Sequence, residues 1–151
     1  MEAGSIAFAS KIMPNEAFDD IDGERERERL HVATQDTRFV LLQNILGHPS
    51  QLPSMKELAH PNPSKSEGTL YQHLERLVEA GIVETYTLES GQRSRDLPYK
   101  FYGVSEDGRR FLGRHGLLQA EETLRKAYER VAKDDRIERF ERAPRPQEAI
   151  A

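Results

Sequence analysis

The stretch SMKELAHPNPSKSEGTLYQHLERLVEAGIV, residues 54–83, contains two helix starts separated by prolines. Its segments Ser54–Glu57 and Ser64–Glu67 both have the spacing of a capping box. Pro61 and Pro63 cannot continue a helix, so the chain must turn between the two starts. The stretch therefore predicts a short helix, a tight turn and a second helix.

The second of these helices has an apolar stripe at helical spacing. Ser66 is an alternative to Ser64 as its cap. The apolar residues recur at i, i+4, i+7 and i+8, and they are Leu70, Leu74, Leu77 and Val78. This is the pattern of an amphipathic helix. Ala80-Gly81 ends it, since glycine is favoured after a helix, and we expect a helix over about residues 64–80 with one buried face.

Further elements are predicted on both sides of this stretch. Upstream, a helix capped by Asp36 or Thr34 stops at Gly47. Downstream, the signals are a strand over 82–88, a polar loop over 89–98, a strand over 99–104, a helix capped by Ser105 and a long final helix from about Leu117 past Val131. This order is that of a winged helix-turn-helix. The predicted fold is α+β and mostly helical, with three helices, a two-stranded β-wing and a C-terminal helix.

Charge and proline content divide the chain into four segments. Residues 1–30 carry eight acidic against four basic side chains, lack an apolar period and are expected to form a flexible acidic tail. The alternative for the alternating charges of Glu24–Arg29 is that they prolong a solvated helix. We expect the winged helix over 31–113, the C-terminal helix over 114–142 and a second flexible tail over 143–151. Acids and bases are equal in number after residue 30, so the net charge of −4 comes from the N-terminal segment. It does not decide the sign of any one surface.

The predicted helix over 64–80 presents a polar face beside its leucines. Four donor-rich side chains share it, namely Thr69, Gln72, His73 and Arg76. Such side chains can reach base edges in a major groove: arginine towards guanine, glutamine towards adenine and threonine towards a thymine methyl. Ser64, Lys65 and Ser66 lie at the helix start, where backbone N–H groups favour a phosphate. The pattern predicts double-stranded DNA as the partner, and the alternative is an ordinary solvated face.

The polar loop between the strands carries the second set of candidate DNA contacts. Arg93 and Arg95 follow Gly91 and would form the tip of the wing. Arginine suits phosphate binding or insertion into a narrow minor groove. Lys100 indicates the same region. The alternative is a solvated loop whose arginines pair with Asp96.

The last predicted helix has a short heptad seam. Its members are Leu117, Ala120, Leu124, Ala127 and Val131, with Tyr128 beside them. Spacings of three and four predict packing against another helix, and we expect this seam to form a homodimer interface. The alternative is that the helix folds back on its own domain.

Several stretches resemble a family of haloarchaeal winged-helix transcriptional regulators. They are HVATQDTRF (31–39), ILGHP (45–49), PNPSKS (61–66), LERLVEAGI (74–82) and RSRDLPYKFY (93–102). The resemblance covers roughly residues 31–146 and implies a DNA-binding fold, a regulatory role and a haloarchaeal cytoplasm. More distantly, the layout looks like PadR- and MarR-type repressors, which dimerise through terminal helices.

Other classes of protein are poorly supported. The chain has no cysteine, which excludes disulfides and thiol chemistry, and no apolar run long enough for a membrane span. Its five histidines are dispersed, and no phosphate loop or nucleophile elbow occurs, so we expect neither an enzyme nor a metal or cofactor site. The alternative to DNA binding is a winged helix that binds proteins.

Overall fold

The helices and strands follow the predicted order. A computed structural model describes residues 23–118 and 121–146, and the chain divides after Val32 into two units. The elements are α1 (Gly23–Thr34), α2 (Asp36–Gly47), α3 (Met55–Ala59), α4 (Glu67–Glu79), β1 (Val83–Thr87), β2 (Lys100–Val104), α5 (Glu106–Arg114), α6 (Glu121–Glu129) and α7 (Asp135–Glu141). The mostly helical fold with a two-stranded antiparallel sheet confirms the predicted fold class. No described helix is long and apolar enough to cross a membrane.

Helix α1 corresponds to the alternative for Glu24–Arg29, a helix, and differs from a flexible tail over all of residues 1–30. The alternating charges of Glu24–Arg29 put opposite charges three residues apart on the helix surface, which favours a helix, but also like charges four residues apart, which does not. Glu24 and Glu26 also lie in the first turn, where the helix dipole favours acidic side chains. The predicted tail over 1–22 lies outside the described residues, as do residues 147–151 of the second predicted tail.

Two helix starts differ slightly from the sequence prediction. Gln35, rather than Asp36 or Thr34, caps α2, because α1 extends through Thr34 and leaves Gln35 as the junction. Its side-chain oxygen accepts from the N–H of Arg38 at 3.0 Å. Helix α4 begins at Glu67 with the alternative cap Ser66, because a turn still occupies the chain at residue 65.

The two helices of the predicted helix-turn-helix pack on α2 through buried aliphatic side chains. The α4 stripe of Leu70, Leu74 and Leu77 is fully buried, as the spacing predicted. Leu58 of α3 and Ile45 of α2 are likewise buried. Burying such a side chain stabilises the fold by about 1.5–3 kcal/mol. This shared core fixes which face of α4 is turned outwards.

The wing is an antiparallel hairpin in which Val83 pairs with Val104 and Thr87 with Lys100. Its root is tied to the core, because the N–H of Tyr102 donates to the carbonyl of Pro53 at 2.9 Å. The loop between the strands includes a short 3₁₀ turn over Ser90–Gln92. The hairpin thus holds the loop at a fixed place beside α3.

Helix α5 approaches the start of β1 very closely. The Oγ of Ser105 donates to the carbonyl of Gly81 at 2.7 Å and caps the helix by accepting from the N–H of Gly108 at 2.8 Å. A Cβ added at Gly108 would lie 2.1 Å from the carbonyl oxygen of Ile82. Only glycine fits there without a shift of the backbone.

The predicted long final helix is instead two short helices. Gly116, with a positive φ of 70°, turns the chain after α5, and Asp134 starts α7 by accepting from the N–H of Ile137 at 2.9 Å. Between these breaks α6 packs against α2 of the same chain. Side-chain capping at Asp134 stops the heptad pattern from continuing as one helix.

Residues 143–146 also differ from the predicted flexible tail. The Nη2 of Arg145 contacts both carboxylate oxygens of Glu57 at 3.0 and 3.1 Å, and its Nε donates to the carbonyl of Leu52 at 2.9 Å. Glu57 also binds the Nε2 of His48 at 2.6 Å and the N–H of Ser54 at 2.9 Å. Burial would raise the pKa of Glu57 and is the largest effect, but His48, Arg145 and Ser54 together hold this pKa below its ordinary value.

Candidate nucleic-acid interface

The start of α4 is a shaped and exposed turn. Ser66 accepts from the N–H of Thr69 at 3.1 Å, which fixes the first turn. Ser64, Lys65 and Ser66 are all exposed there. Glu67, the acidic residue in this turn, is paired with Lys56 at 2.6 Å. That pairing reduces the repulsion that the carboxylate would exert on an approaching phosphate.

The outward face of α4 contains side chains of two kinds. Gln72 and Arg76 are exposed, whereas Thr69 and His73 are only partly exposed. Tyr71 is also outward, with 44% of its surface exposed. The sequence prediction for this face did not include Tyr71. An aromatic residue among basic and polar ones on a helix face is the signal that could have found it.

His73 is held by a residue of α2. The Nδ1 of His73 lies 3.1 Å from the Nη1 of Arg38, which itself is buried. Since arginine can only donate, Nδ1 accepts and the imidazole proton is assigned to Nε2. Burial chiefly, with the charges of Arg38, Lys65 and Arg76, lowers the pKa of His73 below 6.5.

The wing arginines occupy different environments. Arg93 donates through Nε to the carbonyl of Leu88 at 3.0 Å, and its guanidinium lies 4.0 Å from the ring centroid of Tyr99. Arg95 is exposed next to Asp96, whose φ of 69° places it in the left-handed region. Within the described part of the chain, neither arginine forms an ion pair with Asp96. Both charges therefore remain available to a polyanion.

Lys100 connects the wing with α4. Its Nζ lies 5.4 Å from the ring centroid of Tyr71 and 5.6 Å from that of Tyr102. Desolvation by burial, with smaller effects of Tyr71 and Glu75, raises the pKa of Tyr102 to about 12. Basic and aromatic side chains thus form two pairs, Lys100 with Tyr71 between β2 and α4, and Arg93 with Tyr99 in the wing.

The predicted dimer seam is only partly presented on the surface. Tyr128 is buried within its own chain, against the ring of His48 at 5.4 Å, and its hydroxyl donates to Glu141. This differs from the prediction, because a phenol with an internal partner is not free to face a second subunit. Leu117 and Val131 are partly exposed and Ala127 is exposed. Ala120 and the side chain of Leu124 lie outside the described part.

Residues 53–114 match the PadR-like family of transcriptional regulators. This span holds α3, α4, both strands and α5. A search among curated proteins found no match.

A solved structure gives the wider likeness. It is a protein from Halomicrobium mukohataei described as having a GntR superfamily winged-helix-turn-helix domain. The two chains are 30% identical, the likeness covers 91% of this chain and 92% of that one, and the TM-score is 0.73. That relative comes from a halophile, whereas a haloarchaeal origin for this chain stays a prediction. The protein therefore has a PadR-like winged helix that binds DNA, and the protein is not an enzyme. It belongs to the winged helix-turn-helix transcriptional regulators.

Proposed function

We propose that the chain is a sequence-specific regulator that places α4 in the major groove of a promoter and lays its wing on the adjoining backbone. The observation that carries this proposal is the division of α4. One face is a fully buried leucine stripe, and the other exposes Gln72 and Arg76. A major groove admits one helix, and a helix held this way offers its polar face to base edges.

Base readout falls mainly to two residues in this proposal. Gln72 pairs with an adenine and Arg76 with a guanine, the contacts that their planar groups favour. Thr69, partly exposed, contacts a thymine methyl. His73 has a different task, because its Nδ1 is already occupied by Arg38, and it offers the Nε2 proton as a donor at the edge of the groove.

Phosphate contacts surround this reading face. Ser64, Lys65 and Ser66 bind a phosphate at the start of α4. Arg95 and Lys100 bind the backbone beside the wing, and Arg95 can enter a narrow minor groove. Arg93 is already oriented by Tyr99 and the carbonyl of Leu88, which lowers the entropy lost when it binds a phosphate.

We also propose that the protein binds as a homodimer. Leu117, Ala127 and Val131, together with Ala120 and Leu124 as predicted from the heptad spacing, are the candidate interface, and Tyr128 is removed from it. A dimer would read two half-sites about 34–36 Å apart, one turn of the duplex.

The test measures binding to fragments of the source genome, including the promoter of the gene itself, across a salt series. Gln72→Ala/Arg76→Ala is expected to lose discrimination between fragments, by about 1–3 kcal/mol for each readout contact. Arg93→Ala/Arg95→Ala is expected to weaken binding to all fragments alike. Arg110→Ala is the single-charge control, since Arg110 lies on α5 beside Glu106 and Asp107.

Two results would contradict the proposal. If wild type binds no fragment preferentially at any salt, DNA readout is not the function of this surface, and a protein partner becomes the better explanation. If the α4 variant and the Arg110 variant lose the same discrimination, the loss comes from charge and not from base contacts.

A further inference from the structure

A cleft separates the wing from the C-terminal helix α7. Lys56 of α3, Lys100 of β2 and the adjacent Tyr99 line it on one side. Arg136 and Phe140 of α7 line the other side. Basic side chains therefore stand on both rims. Asp96 is the carboxylate that faces them in this cleft.

Two arginines of α7 lie against the ring of Phe140, and Arg136 of these lines the cleft. The guanidinium of Arg136 lies 5.3 Å from the ring centroid of Phe140, and that of Arg139 lies 6.0 Å from it. Both side chains are exposed. Among the described residues, no carboxylate lies within 4 Å of either guanidinium. The shared ring holds the two charges next to each other, three residues apart on one helix.

The first two acids of α7 lie away from Arg136, the arginine that lines the cleft. At about 100° per residue, Asp135 and Glu138 lie about 100° and 160° from Arg136, whereas Asp135 lies only about 40° from Arg139. The remaining acid, Glu141, is occupied by Lys133 at 2.9 Å. The charge that α7 brings to the cleft is therefore the basic side chain of Arg136, and Arg139 lies next to it against Phe140.

The cleft adjoins the surface assigned to DNA. Lys100 lies on the ring of Tyr71 in α4, and Lys56 is paired with Glu67 in the first turn of the same helix. The cleft thus borders both α4 and the wing. A promoter duplex seated on those two elements extends past them. It carries a negative charge about every 1.7 Å along its axis.

We propose that Arg136 and Arg139 bind phosphates of the same duplex just outside the site contacted by α4 and the wing. The C-terminal helix then lengthens the DNA footprint and adds affinity without reading sequence. This inference rests on the proposed function. It assigns the two arginines of α7 to one occupant, a DNA backbone, by charge complementarity.

The experiment compares wild type with Arg136→Gln/Arg139→Gln in full-length protein. Each phosphate contact contributes about −0.9 to the slope of log K against log salt. The variant is expected to have a slope smaller in magnitude by about 1.8. Between 50 and 200 mM salt, wild type should then lose about ten-fold more affinity than the variant.

The control variant Arg130→Gln/Arg142→Gln removes the same charge from the same region. Both arginines are exposed and neither lines the cleft. Its salt slope is expected to stay close to that of wild type. Thermal unfolding of both variants establishes that they remain folded, since exposed side chains rarely alter stability by more than about 0.5 kcal/mol.

A duplex-length series locates the contact. A shortened duplex that keeps the recognised site should weaken wild type by the same factor as the double substitution. The variant itself should be insensitive to the shortening, because two changes that remove one interaction are not additive.

The outcomes separate this inference from the proposed function. If wild type binds its site, the wing variant weakens binding and the α7 variant keeps the wild-type slope, only the inference on α7 is wrong. An equal loss in the control also overturns it, because total charge then explains the effect. If wild type binds no DNA, the proposed function fails and the assignment of α7 fails with it.

Discussion

Replacing Arg145 by alanine should destabilise the protein severely although the residue lies six positions before the last residue of the sequence. Its guanidinium is almost wholly buried, as is the carboxylate of Glu57 that it contacts. It also donates to the carbonyls of Leu52, Phe140 and Ala143 at 2.9, 3.1 and 2.8 Å. The substitution leaves a buried negative charge with fewer donors.

The expected loss follows from the partners that remain. Removing one member of a buried ion pair costs about 3–5 kcal/mol. Glu57 would keep His48 at 2.6 Å and two donors of Ser54, the N–H at 2.9 Å and the hydroxyl at 2.8 Å. We therefore expect the lower part of that range, about 3 kcal/mol, out of a typical total of about 5–15 kcal/mol.

Urea unfolding gives the measurement. Arg142→Ala is the matched control, since Arg142 is exposed and its loss should alter the free energy of unfolding by less than about 0.5 kcal/mol. The double variant Glu57→Gln/Arg145→Met should lose less than the sum of the two single variants, because no buried charge is left unpaired. A loss below about 1 kcal/mol for Arg145→Ala would refute the reasoning and support the flexible C-terminal tail predicted from the sequence.

Three further predictions concern packing and protonation. Gly108→Ala should lower the free energy of unfolding by about 1–3 kcal/mol, because the added Cβ meets the carbonyl of Ile82. The control Gly113→Ala, whose Cβ would lie 3.6 Å from its nearest neighbour, should not lower it by this amount, and equal urea midpoints of the two variants would contradict the prediction. The lowered pKa of Glu57 contributes stability that is complete above its unfolded value of about 4.5 and is lost as pH falls through the folded value. The free energy of unfolding between about pH 3 and 6 should therefore be less pH-dependent in Glu57→Gln than in wild type, and parallel profiles of the two proteins would contradict this prediction. Because the pKa of His73 is lowered, DNA affinity should stay constant from pH 8 to about 6.5 and increase only below that pH. The variant His73→Gln should not show this increase, and a rise centred above about pH 6.5 in wild type would show that the histidine is not held as described.

The parts of the fold that the sequence predicted are those governed by local rules. The Leu70, Leu74 and Leu77 stripe identified the buried face of α4, and therefore also its exposed face, because a helix has only one axis. The capping pattern at Ser54 located α3 within a residue. Such signals depend on neighbours three or four positions away, so no tertiary information was needed.

The parts that the sequence did not predict depend on distant partners. Arg145 meets Glu57 across 88 positions, and Arg38 meets His73 across 35. No local pattern announces such a pairing, and a terminal arginine between prolines is typical of a solvated tail. The heptad spacing near Tyr128 was real, but it describes packing against α2 of the same chain as well as it describes a second subunit.

The short helix α3 explains why these distant contacts matter for the DNA-binding surface. With five residues, α3 is far too short to be stable by itself, so tertiary contacts set its position. Glu57 attaches its buried side to Arg145 and His48, while the adjacent Lys56 attaches its exposed side to Glu67 in the first turn of α4. Consecutive residues of one helix thus join the C-terminal segment to the start of the reading helix. The buried network therefore supports the orientation of α4 as well as the stability of the fold, because α3 has no other polar attachment of comparable burial among the described residues.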